Sequence, residues 1–228
     1  MKIIGLQKVS LLNYPGLVSA TIFVSGCNFK CPFCHNSSIV KCEYNELSEN
    51  QIFEYLEERK KMLDGVCVSG GEPTIHKDIK EFIIKLKNMG FKVKLDTNGY
   101  NPDMLKDLID SKCLDYIAMD IKNSDSKYSK TAGVNVDLNL INESVDLIMN
   151  SGIDYEFRTT VVEELHTAED IELICKKLKG ASAYYIQNFE DSGDIMQNGL
   201  HGFNKEKLLN FVDIAKQHIQ NSNLRGID

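Results

Sequence analysis

The sequence predicts an α/β fold with a parallel sheet. Three observations carry that prediction: six short β-rich runs, a helical segment following each, and glycines where helices should stop. The first run, 18–25 (VSATIFVS), leads through a cysteine-rich stretch to a helical pattern over 48–63, with Ser48 at the N-cap position. The second, 64–69 (DGVCVS), precedes a helix over 77–89 that Gly90 should close. The third, 91–96 (FKVKLD), precedes 102–113, and the fourth, 115–121 (DYIAMDI), precedes 139–151, closed by Gly152. The fifth, 153–162 (IDYEFRTTVV), leads to 167–179, opened by Thr167 and closed by Gly180. The sixth, 182–189 (SAYYIQNF), leads to 204–221. No Pro/Ser-rich linker or low-complexity segment interrupts the series, so one domain over residues 1–228 is expected. Alternation leaves two architectures open, a doubly wound open sheet and a partial barrel.

Composition narrows the function classes. The 228 residues are 43% hydrophobic, enough for a sizeable core. Lys and Arg total 26 against 33 Asp and Glu, a net charge of -7 without a basic run, which argues against nucleic acid as a ligand. No segment approaches the ~18–20 apolar residues of a membrane span. The opening MKIIGLQKVSLLNYPG lacks a signal peptide's unbroken apolar core, so a cytoplasmic location is expected. Seven cysteines in a reducing compartment point to metal or redox chemistry more than to disulfides. Cys67, Cys113 and Cys175 lie in apolar or helical patterns and read as small core residues, whereas Cys42, in a polar stretch, has no assigned role.

In parallel α/β proteins the carboxyl ends of the strands share one rim, where ligands bind. After the six runs come the cysteines at 27, 31 and 34, then Ser69 to Pro73 (SGGEP), then Asp96 to Gly99 (DTNG). Asp120 with Lys122, Arg158 with Thr159 and Thr160, and Gln187 with Asn188 follow. Thiolates suit zinc or iron–sulfur groups, and a structural zinc site wants four ligands. Here three are clustered, and His35 adjoins Cys34 too closely to share one small ion with it. A cubane cluster is wide enough for three cysteines to hold three irons, leaving the fourth open to a small molecule.

The stretch CNFKCPFC, Cys27 to Cys34, resembles the radical S-adenosylmethionine signature, and Gly70-Gly71-Glu72 resembles that superfamily's GGE segment. The resemblance covers nearly the whole chain and implies a partial six-unit (β/α) barrel of the TIM type, open on one side. NYPG (13–16), CHN (34–36), DTNG and DIK (120–122) resemble the activating enzymes of glycyl radical proteins. Among these, the length and the YPG…CNFKCPFCHN pattern look most like the activators of anaerobic ribonucleoside-triphosphate reductase, with pyruvate formate-lyase activators next. Two departures stand out: Asn13 replaces an acidic residue found in many relatives, and Phe189-Glu190 replaces the Phe-His common in formate-lyase activators. The ferredoxin-like insert of some relatives is absent, since residues 35–69 hold only Cys42 and Cys67.

The resemblance implies roles residue by residue. Cys27, Cys31 and Cys34 would ligate a 4Fe-4S cluster, whose electron would cleave S-adenosylmethionine to methionine and a 5′-deoxyadenosyl radical. Phe33 would lie against the adenine; Gly70, Gly71 and Glu72 would take the amino group; Arg158 and Lys122 would pair with the carboxylate. Asp96, Thr97 and Asp120 resemble a monovalent-cation site, and Asn98 would serve the ribose. The implied partners are a glycyl radical enzyme, whose glycine Cα loses a hydrogen, and a flavodoxin or ferredoxin as electron donor. Blander readings stand beside these: Asp96 and Asp120 as turn acceptors, Arg158 and Lys122 as surface ion-pair partners, and His76, His166, His201 and His218 as ordinary hydrogen-bonded histidines. Two alternative functions remain, a radical enzyme acting on a small molecule and a non-enzymatic iron–sulfur or zinc protein. The latter would want a fourth ligand and leaves GGE and Arg158 without a task.

Overall fold

The computed structural model describes residues 1–34, 37–38, 46–191 and 193–226. Eight strands form one sheet in chain order: β1 (Ile3–Ser10), β2 (Ser19–Val24), β3 (Gly65–Gly70), β4 (Lys92–Thr97), β5 (Tyr116–Asp120), β6 (Asp154–Val161), β7 (Tyr184–Asn188) and β8 (Ser222–Arg225). β1 runs antiparallel to β2, and all pairs from β2 to β8 are parallel. The six β-rich runs are β2 to β7. The two edge strands were not legible: only Ile3 and Ser10 of β1 are buried, which erases its alternation, and β8 is four residues of mostly polar character.

The helices whose bounds fall within the described residues are α1 (Glu49–Arg59), α2 (Ile79–Asn88), α3 (Pro102–Asp110), α4 (Tyr128–Ala132), α5 (Leu138–Met149), α6 (Ala168–Lys177) and α7 (Lys205–Lys216). All but the short α4 correspond to the expected segments. Ser48 and Thr167 each close a capping box, with Gln51 and Asp170 respectively. Gly90, Gly152 and Gly180 adopt positive φ just beyond α2, α5 and α6, where a Cβ would be strained. Ser48→Ala removes the acceptor for the Gln51 amide. It is expected to cost about 1 kcal/mol, read as a fall of roughly 2–4 °C in the thermal midpoint.

Strand alternation sorts the side chains into two layers. In β4, Val93 and Leu95 are fully buried on the face toward α2, while Lys94 and Asp96 point the other way. In β6, Tyr155, Phe157 and Val161 alternate with Glu156, Arg158 and Thr160. The second face is concave. Tyr14, just before β2, meets Tyr116 of β5 with ring centroids 5.8 Å apart, although three strand spacings would separate them by about 14 Å in a flat sheet. The sheet is therefore curled into a partial barrel with β1 and β8 as its edges. Its lower interior is polar: Arg225 of β8 donates from both terminal nitrogens to the fully buried Glu156 carboxylate, which also accepts from Tyr116 Oη at 2.8 Å. Among the described residues, no helix is long and apolar enough to cross a membrane.

Candidate active site

At the carboxyl ends of the strands lies an open cleft of about 820 Å³, mouth included. Its walls contain all thirteen residues to which the resemblance gives a cluster or ligand role: Cys27, Cys31, Phe33, Cys34, Gly70, Gly71, Glu72, Asp96, Thr97, Asn98, Asp120, Lys122 and Arg158. Phe29, Ser69 and Thr160 complete it. Ser69, Asp96, Asp120, Arg158 and Thr160 arrive by strand alternation, each on the concave face near the end of its strand. Gln187 and Asn188, expected on the same rim, are not among the lining residues; Asn188 instead clamps Phe203 through both atoms of its amide, at 3.0 and 2.9 Å. His35, Asn36 and Cys42 lie outside the described residues.

The cysteine loop is held from three directions. Gly26, at φ +80°, turns the chain out of β2, and its carbonyl accepts from the Glu72 amide at 2.9 Å. The Lys30 amide donates to the Ala132 carbonyl at the end of α4 (2.9 Å), and the Gln197 amide donates to the Pro32 carbonyl (3.0 Å). Phe29 is buried against Tyr100, with centroids 5.3 Å apart. Burial pushes the Cys27 thiol up to about 12 and raises the Cys31 thiol also. Both are neutral thiols at neutral pH until a metal displaces the proton.

Two glycines let the GGE turn press against this loop. A Cβ on Gly70, itself at φ +114°, would meet Val24 backbone atoms at 2.4 and 2.5 Å, and one on Gly71 would sit 1.8 Å from the Gly26 oxygen. Glu72 is buried, with Oε1 accepting from the Thr74 amide (3.1 Å), Thr74 Oγ1 (2.6 Å) and Thr97 Oγ1 (2.7 Å), and Oε2 accepting from the Asn98 amide (2.6 Å). Burial raises its carboxyl despite these donors. Asn98 Nδ2 donates to Asn28 Oδ1 at 2.7 Å. Glu72, Asn98 and Asn28 thus wire the GGE turn, the DTNG turn and the cysteine loop into one unit.

The opposite wall is ionic. Arg158 Nε donates to Asp120 Oδ1 (2.8 Å), and its terminal nitrogen lies 3.5 Å from Asp96 Oδ2. Asp120 stands beside Arg158 on the adjacent β5 and Asp96 one strand further on, on β4, with the small Ala118 paired to Asp96 on the strand between. Lys122 Nζ donates to Asp120 Oδ2 at 3.1 Å, and His166 Nε2 lies 2.8 Å from the Lys122 carbonyl, fixing that turn. Ser69 Oγ donates to Asp96 Oδ2 at 2.9 Å, and the buried Lys94 ammonium donates to Asp96 Oδ1. Burial raises both aspartate carboxyls, but Arg158, with Lys94 at Asp96 and with Lys122 at Asp120, more than reverses it and leaves both below the ordinary carboxylate range. Lys94 was missed in the sequence, although the alternation Lys92, Lys94, Asp96 against Val93, Leu95 marks it as a charge on the concave face.

The donor set can be tested against a bound group. Among the described residues, no three His, Cys, Asp or Glu side chains gather closely enough for a single metal ion. Three thiols lining one cleft suit a multi-iron group, and three cysteines leave one iron for an exogenous ligand. Carboxylate, guanidinium and ammonium groups across the cleft suit a zwitterionic ligand. The residues therefore fit a 4Fe-4S cluster with S-adenosylmethionine.

Known proteins agree. Residues 21–178 match the model of the Radical SAM superfamily. A protein of Methanocaldococcus jannaschii named "Putative glycyl-radical enzyme activating enzyme" is 36% identical over 98% of this chain and 95% of its own. A second protein so named in that organism is 29% identical over 88% of this chain and 78% of its own. In fold, the chain is similar to Streptococcus suis SuiB bound to S-adenosylmethionine (TM-score 0.71, 16% identity, 89% of this chain and 49% of that one). It is similar also to a domain of a pyruvate-formate lyase-activating enzyme from Bacteroides vulgatus (TM-score 0.60, 15% identity, 71% and 99%). With its cysteine loop, GGE turn and curled parallel sheet, the chain belongs to the radical SAM superfamily, in the family of glycyl-radical enzyme activating enzymes.

Proposed function

We propose that this enzyme activates a glycyl radical enzyme, specifically an anaerobic ribonucleoside-triphosphate reductase, by abstracting hydrogen from one glycine Cα. The observation that carries the reading is the single cleft into which thiols, GGE turn and ionic wall all open. A 4Fe-4S cluster, when bound, would supply the electron for reductive cleavage of S-adenosylmethionine at its S–C5′ bond, to methionine and a 5′-deoxyadenosyl radical. Cys27, Cys31 and Cys34 would hold that cluster. The Gly70 and Gly71 backbone accepts from the methionyl ammonium, while Glu72, its oxygens already engaged by four donors, positions the turn. Arg158 and Lys122 attract the methionyl carboxylate, Phe33 packs on the adenine, and Asn98 holds the ribose side of the cleft. A monovalent cation beside Asp96, Thr97 and Asp120 would compete with protein cations already on those carboxylates, and the Thr97 hydroxyl donates to Glu72 and accepts from the Gly99 amide.

The reductase assignment is supported by the YPG…CNFKCPFCHN pattern and the lack of a ferredoxin-like insert. A flavodoxin or ferredoxin would deliver the electron in the cytoplasm. The test is anaerobic: reduce the reconstituted protein, add S-adenosylmethionine and the reductase, and measure 5′-deoxyadenosine and the glycyl radical's paramagnetic resonance signal. Both are expected. 5′-Deoxyadenosine without the glycyl signal would sink the reductase assignment alone; neither product from a fully loaded, reduced protein would sink the reading.

A further inference from the structure

We propose that Lys94 is a built-in monovalent cation: its ammonium, tethered behind Asp96, gives the ionic wall the positive surplus that attracts the methionyl carboxylate, so that no ion from solvent is needed. This rests on the functional reading above, in which Arg158 and Lys122 face that carboxylate.

The side chain is 1% exposed and is not among those lining the cleft, so its charge is sealed beneath the site. A buried ammonium is costly without a partner, and among the described residues its one carboxylate partner is Asp96. Two further neighbours are uncharged. Cys67 Sγ lies 3.9 Å away, in a thiol that burial holds neutral, and the Tyr116 ring centroid lies 5.9 Å away. No other part of the site uses Lys94.

Charge counting shows what it does. Asp96 and Asp120 bring two negative charges, and Lys94, Lys122 and Arg158 bring three positive ones. The surplus is one, matching one incoming carboxylate. Without Lys94 the wall would be neutral, and attraction would require an ion from solvent. Occupancy says the same. Asp96 Oδ1 takes the Lys94 ammonium and Oδ2 takes Ser69 and Arg158, while Asp120 gives Oδ1 to Arg158 and Oδ2 to Lys122. An added cation would have to share these oxygens with donors already in place, against the repulsion of three protein cations. Lys94 acts through Asp96 and Arg158 and is a positioning residue.

The test measures equilibrium binding of S-adenosylmethionine to the reconstituted holoprotein under anaerobic conditions. Potassium chloride and methylammonium chloride are compared with tetramethylammonium chloride at matched ionic strength. Wild type is expected to bind equally in all three. Lys94→Ala is expected to bind about tenfold more weakly in tetramethylammonium and to recover, saturably, with potassium or methylammonium entering the vacated space. A saturable potassium effect on wild type would overturn the proposal. So would wild-type affinity in Lys94→Ala, or a loss that neither ion rescues in a variant with normal iron content and circular dichroism, since that is what a merely structural role would give. Lys94→Gln keeps the stem and is the second variant: a similar loss in tetramethylammonium supports the proposal, and undiminished affinity overturns it. Failure of wild type to bind S-adenosylmethionine in any salt would overturn the underlying functional reading, and the proposal with it.

Discussion

Gly71→Ala is expected to cut S-adenosylmethionine cleavage by about 100-fold or more, although it removes no cysteine and no side chain from the cleft. The added Cβ would stand 1.8 Å from the Gly26 oxygen and 2.6 Å from its carbonyl carbon. Both belong to backbone that cannot rotate away, so the GGE turn or the cysteine loop must move by more than an ångström. A displacement of that size at a reacting centre costs roughly 100-fold in rate, and overpacking adds about 1–3 kcal/mol of destabilisation. Because the Gly26 carbonyl also accepts the Glu72 amide, the shift also strains the turn that Glu72 ties to Asn98. Iron content after reconstitution and 5′-deoxyadenosine yield are the measurements. Gly152→Ala is the control: at φ +72° with nothing within 4 Å, it adds backbone strain without a clash. It should lower the melting temperature slightly and leave turnover intact. Equal loss in both variants would show that general destabilisation, not the contact with Gly26, is responsible.

What the sequence could reveal divides along physical lines. The central strands were legible because burial on both faces leaves β-rich runs between turn signals, and the caps because Ser48, Thr167 and the positive-φ glycines obey local stereochemistry. The rim was legible because parallel topology carries every strand's carboxyl end to one side. β1 and β8 were not, since an edge strand is defined by its neighbour rather than by its own pattern. Hydrogen-bond commitments were also hidden. Glu72 and Asn98 read as ligand contacts, yet most of their polar atoms brace the turns, a division that depends on how Thr74, Thr97 and Asn28 converge in space. Lys94 lay between: alternation placed it on the concave face, but only the folded barrel brings its ammonium to Asp96.

Arg158→Met should destabilise the protein by roughly 3 kcal/mol at neutral pH, and the deficit should shrink as the pH falls. In the wild type, burial raises the Asp96 and Asp120 carboxyls, but Arg158, with Lys94 and Lys122, takes both below their unfolded values. The unfolded chain then binds protons more readily than the folded one. The stability these groups contribute is fully present above the unfolded carboxylate pKa, about 3.9, and is lost as the pH falls toward the lower folded value. Removing the guanidinium strips Asp120 of one of its two cations and Asp96 of its cross-barrel partner, and burial is no longer fully opposed. Both folded pKa values rise, so the variant sheds less stability on acidification, or gains some, while the wild type loses it. Glu72 contributes the opposite slope, its folded carboxyl being raised by burial, but does so in both proteins and cancels from the difference. Urea unfolding of the two proteins between about pH 7 and pH 2 reads the gap directly, and a gap independent of pH across that range would mean that Arg158 stabilises by packing rather than by charge. Arg158→Lys should recover only part of the loss, because a single ammonium cannot bridge carboxylates on two strands as the planar fork does.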